Sequence, residues 1–75
     1  MYNAWLMDIE RAIALFRKWF PESLLIVGIY GNADCDVLIK TEQKLCLFKH
    51  NSGELWAKDH PEDWRQGTWK YIAKE

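Results

Sequence analysis

No run of about 18 uncharged apolar residues occurs in the 75-residue chain, and its start, Met1-Tyr2-Asn3 followed by Asp8 and Glu10, has no basic cluster ahead of an apolar stretch. A membrane span and a secretory leader are therefore not expected, and a cytoplasmic setting is. A charge excess of either sign is also missing. Ten basic residues against eleven acidic ones leave a formal charge of −1, so no global field draws in a phosphate backbone or an anionic membrane. Cysteine is scarce. Cys35 and Cys46 make too thin a framework for a disulfide mini-protein and read as reduced thiols. With four glycines, Gly28 and Gly31 are taken up by a strand and its turn, and no phosphate-cradling loop remains.

What is present is a foldable balance: 49% hydrophobic and 28% charged residues, far from the composition of disordered chains. A chain of this length supports one core, so residues 1–75 are expected to form a single small domain whose function sits on a surface or in a shallow groove. Between Asn3 and Phe20, the residues Trp5, Leu6, Ile9, Ala12, Ile13, Phe16, Trp19 and Phe20 project within an arc of about 140° at helical spacing. This predicts an amphipathic helix with Asn3 as N-cap and Pro21 as stop, its apolar arc buried and Met7 and Leu15 facing solvent. Acidic residues early and basic residues late complement its dipole.

The remainder reads as strands. Residues 24–30 (LLIVGIY) are apolar on both faces, which predicts a central strand. Residues 35–41 and 44–50 flank Glu42-Gln43 as a tight hairpin, which sets Ile39 opposite Cys46 and Val37 opposite Phe48. Asn51-Ser52-Gly53 turns into a strand at 54–58 and, by parity, puts Leu55 and Ala57 on the face of Val37, Ile39, Cys46 and Phe48. A helical turn is expected near 61–66, between Pro61 and Gly67, and a last strand over 68–73. The predicted class is α+β: an N-terminal helix on an antiparallel meander of four to five strands.

Chemistry-bearing constellations are weak. Cys35, Cys46, His50 and His60, with Asp34, Asp36 and Asp59, lack the CxxC or HxxxH spacing of a zinc site, so neither metal nor cofactor is expected. Cys35 with His50 is the one thiol–base pair that the register brings near, but neighbouring carboxylates work against a thiolate and no enzyme activity is expected. The strongest surface signal is aromatic. Parity places Trp56 with Leu38, Leu45 and Leu47 opposite the core, flanked by Lys40, Lys49 and Lys58, with Trp64, Trp69 and Tyr71 in a segment that either extends this patch or folds over it.

An aromatic-centred patch rimmed by charge suits a protein interface. The expected binding residues are Trp56, Leu38, Leu47, Lys49, Lys58, Trp64 and Trp69. The expected function is that of a small protein-binding modulator or inhibitor, its partner another protein or a second copy in a homodimer. Small proteins of phages and other mobile elements that block host machinery, anti-CRISPR proteins among them, share this size and lack of catalytic motifs. That likeness is one of class, carried by no residue. The alternatives are a nucleic-acid-binding accessory protein, with Trp56 as a stacking platform among lysines, and then a small enzyme.

Overall fold

The computed structural model describes residues 4–59, 65 and 67–75. Helix α1 (Ala4–Trp19) precedes five strands, β1 (Ile26–Gly31), β2 (Val37–Thr41), β3 (Leu45–Lys49), β4 (Glu54–Lys58) and β5 (Lys70–Lys74). All neighbours are antiparallel and lie side by side in chain order. This is the α+β meander that the alternation predicts. Asn3, the helical turn near 61–66 and Trp64 lie outside the described residues.

The hairpin registers agree with the sequence. Ile39 pairs with Cys46 and Val37 with Phe48, and these continue to Ala57 and Leu55 on β4. The β2–β3 turn has no glycine and is held by Thr41 instead. Its Oγ1 accepts from the N–H groups of Gln43 (3.2 Å) and Lys44 (2.9 Å) and donates to the Lys44 carbonyl (3.2 Å), which explains a fully buried threonine. At the β3–β4 turn Gly53 adopts φ +73° and its N–H donates to the Lys49 carbonyl at 2.8 Å. A side chain would be strained there.

The core lies between α1 and one face of the sheet. Ala12, Leu15 and Phe16 meet Val37, Ile39, Cys46, Phe48, Leu55, Ala57 and Ala73. Burying side chains such as Phe16, Phe48, Ile39 and Leu55 contributes roughly 1.5–3 kcal/mol each.

Two expectations are corrected. First, β1 is an edge strand, not a central one. Its apolar residues on both faces reflect partial burial of Ile26 and Ile29 against the core cluster, while Leu25, Val27 and Tyr30 stay more than half exposed.

Second, the buried stripe of α1 is rotated from the projected arc. Leu15 is buried, whereas Trp5, Leu6 and Trp19 are exposed, with Trp19 at 54%. Two causes combine. A 16-residue helix is about 24 Å long, while five-residue strands reach about 17 Å. The helix runs from Gly31, against which Trp5 lies, to Lys44, whose ammonium sits 6.0 Å from the Phe20 ring centroid, so its terminal tryptophans overhang the sheet. Meanwhile Arg11 is drawn over the Phe48 ring (5.1 Å) and toward β5, which carries Leu15, one turn later, inward. The first turn of α1 also holds no acidic residue, although Arg17 and Lys18 occupy the last.

Candidate protein-binding surface

Because α1 covers one side of the sheet, the pleat delivers every second side chain to the other side. There the registers align Tyr30 with Leu38, Leu38 with Leu47, Leu47 with Trp56, and Trp56 with Tyr71. One apolar and aromatic row thus crosses all five strands. Directly opposed side chains sit about 5 Å apart at Cβ, so each member supports the next.

Trp56 anchors the row. Its indole N–H donates to Glu54 Oε1 at 3.2 Å, Lys49 Nζ lies 5.0 Å from its ring centroid, and Tyr71 meets it edge-on at 5.6 Å and 79°. These contacts fix the indole and leave it partly buried. At the other end the Tyr30 ring leans along its own strand over Gly28, where a Cβ would fall 2.5 Å from its hydroxyl oxygen. Glycine is required there for Tyr30 to lie flat on the sheet.

Of the expected binding residues, Trp56, Leu38, Leu47 and Lys49 are brought together on this face. Leu38 is only 7% exposed, so it forms the floor of the patch and not its contact surface. Lys58 is corrected from rim to interior. It is 3% exposed, its ammonium 5.1 Å from the centroid of Trp69. Trp69, partly buried, therefore covers one margin of the patch. Tyr30 joins the patch as well: the alternation within 24–30 does not single it out, whereas pairing β1 with β2 through residues 32–36 sets it opposite Leu38.

Charge on this face differs from that of the whole chain. Lys40, Lys49 and Lys74 lie on it with Glu54 between the last two, so an acidic complement is favoured. At the end of the sheet, Asp34, Asp36, Lys49, Asn51, Ser52 and Glu54 line a shallow depression open to solvent. Asp36 accepts there from His50, at 3.0 Å from the ring Nδ1.

The thiols offer little chemistry. Cys46 is fully buried, and burial pushes it up to about 12, so it stays protonated. Cys35 is exposed in the β1–β2 turn while His50 is engaged by Asp36. Among the described residues no cluster of three or more His, Cys, Asp or Glu side chains is arranged to hold a metal ion, and no helix is long and apolar enough to cross a membrane. In comparisons with known proteins, no family model, no curated protein and no solved structure matches the chain.

Proposed function

We propose that the protein is a small binding module that engages another protein through the helix-free face of its sheet, with Trp56, Leu47, Tyr30 and Tyr71 as contacts and Lys49 and Lys74 selecting an acidic partner surface. The observation that carries this reading is the continuous row from Tyr30 to Tyr71 across all five strands. Rigid aromatic side chains in a pre-formed array lose little entropy on binding, which is why such residues dominate interface energetics. A modulator or inhibitor of a larger protein, acting without catalysis in the cytoplasm, fits such a surface on so small a chain.

Single-stranded nucleic acid is the second reading, favoured by lysines beside aromatic rings. It ranks lower because the Trp56 ring is already engaged by Lys49 and Tyr71, which leaves a base little open face to stack upon. The test is capture from the source cell with wild-type, Trp56→Ala and Tyr71→Ala baits, each with and without nuclease. Capture that resists nuclease and weakens by about 2 kcal/mol, near thirtyfold, on loss of Trp56 supports the proposal. Nuclease-sensitive capture, or equal capture by all three baits, overturns it.

A further inference from the structure

The two edges of the sheet are protected very differently. An edge strand exposes a row of unpaired N–H and C=O groups, and natural sheets guard such edges with lysines, prolines or bulges. On β5 the guards are present as Lys70 and Lys74. On β1 they are nearly absent: residues 23–33 (SLLIVGIYGNA) carry no charge, and the sole irregularity is a register shift between Ile26 and Gly28. This bulge falls at the start of the strand and leaves Gly28–Gly31 regularly paired with β2 and, among the described residues, with no strand on the outer side.

Apolar surface concentrates at the same edge. Among the described residues, Leu25 is 69% exposed, Val27 53% and Tyr30 52%. Trp5, 38% exposed, lies against Gly31 on the helix side, while Tyr30 lies on the opposite side. The free backbone groups thus run between aromatic side chains on both faces of the sheet.

We propose that β1 is the seam of a homodimer, in which two copies join antiparallel through their β1 edges into one continuous sheet. The free backbone edge calls for a strand as occupant. A second copy fits for two reasons. An uncharged strand meets its own two-fold mate without like-charge repulsion, as an isologous interface demands, whereas β5 would set lysines against lysines. The ends also complement each other. At the Leu24 end the Arg17 guanidinium donates to the Leu24 carbonyl at 3.0 Å, close in sequence to Glu22. The Gly31 end leads into Asp34 and Asp36. An antiparallel two-fold brings Arg17 of one copy toward the acidic end of the other, twice. Both helices then lie on the same side of the joined sheet, and the row from Tyr30 to Tyr71 is doubled in length on the other. This seam does not depend on the binding proposed for the open face.

Sedimentation equilibrium of the full chain over a wide concentration range tests it, alongside Val27→Lys, Leu25→Lys and Trp56→Ala. The expected result is a concentration-dependent species of twice the 8.9 kDa chain mass, retained by Trp56→Ala and lost or weakened at least tenfold in both lysine variants. Val27 and Leu25 are exposed, so their variants should keep the wild-type circular dichroism. Amide exchange at Gly28–Gly31 should slow as concentration rises. A wild-type chain that stays monomeric, a dimer indifferent to both lysines, or a dimer abolished by Trp56→Ala overturns the proposal.

Discussion

Arg11, in the third turn of α1, grips Glu75, the residue after β5, with two prongs: Nε donates to Oε2 at 3.0 Å and Nη2 to Oε1 at 2.5 Å. The same guanidinium reaches Asp8 at 2.8 Å, and the Glu75 N–H donates to the Gly53 carbonyl at 2.9 Å. Helix, last strand and β3–β4 turn are tied at one point.

The hydrogen bonds from Arg11 hold the Glu75 carboxyl below its ordinary value of 4.5. A carboxylate depressed in the folded state contributes stability that is present above that ordinary value and lost as pH falls through the folded one. Both partners are over a third exposed, so water screens the pair and its worth is under about 1 kcal/mol. Denaturation midpoints taken from about pH 7 down to pH 3 should fall less steeply for Glu75→Gln than for wild type. Equal slopes would show that the pair contributes nothing.

The rotation of α1 predicts an inversion of mutational cost. Phe16→Ala should destabilise by about 3–5 kcal/mol and Leu15→Ala by about 2–5 kcal/mol, as buried truncations do, whereas Trp19→Ala should cost under about 1 kcal/mol because its ring overhangs the sheet. Thermal melts of the three variants check this, and a Trp19→Ala loss matching that of Phe16→Ala would return the helix to its projected face.

For the thiols, a native-state alkylation should consume one equivalent, at Cys35, and a second only after unfolding. The buried Cys46 thiol is raised from 9.0 to about 12. A thiol raised on folding favours the native state below its unfolded value and loses that contribution as pH climbs from about 9 toward 12. The alkaline fall in stability should therefore shrink in Cys46→Ala, which is read against its own neutral-pH midpoint. Rapid native labelling of both cysteines would contradict the burial.

Cys35 occupies φ +64°, within a turn where Asn32 Oδ1 accepts from the N–H groups of Asp34 and Asp36, both at 3.0 Å. Left-handed backbone strains a residue with a Cβ by about 1 kcal/mol or more. Cys35→Gly should raise the denaturation midpoint, and a drop would show that the turn tolerates the thiol without strain.

How far the sequence reached depends on the kind of pattern each element carries. Val37, Ile39, Cys46, Phe48, Leu55 and Ala57 alternate strictly, and a slip of one residue would turn them all to water, so register was legible even where Thr41 replaces a turn glycine. The position of β1 was not. A strand reads as central when both faces are apolar, and an uncharged edge gives the same pattern. On α1 the apolar arc was wider than the sheet could cover, and periodicity alone favours Trp19 over Leu15, the reverse of their observed burial. That choice falls to strand length and to the pull of Arg11 on Glu75, both tertiary facts. Of the open-face patch, Trp56, Leu47 and Leu38 followed from parity. The burial of Lys58 under Trp69 did not, because it depends on the path of the chain between β4 and β5.

A sheet whose spatial order equals its chain order has a consequence for how the molecule assembles. Each β-pairing up to β4 joins segments separated by a few residues, so the meander zips through successive short loop closures with small entropic cost. The contact between Arg11 and Glu75 spans 64 residues and is the longest closure among the polar contacts described. Loop length therefore favours closure of the hairpins over docking of α1 against β5, whose Arg11–Glu75 contact has the longest loop to close.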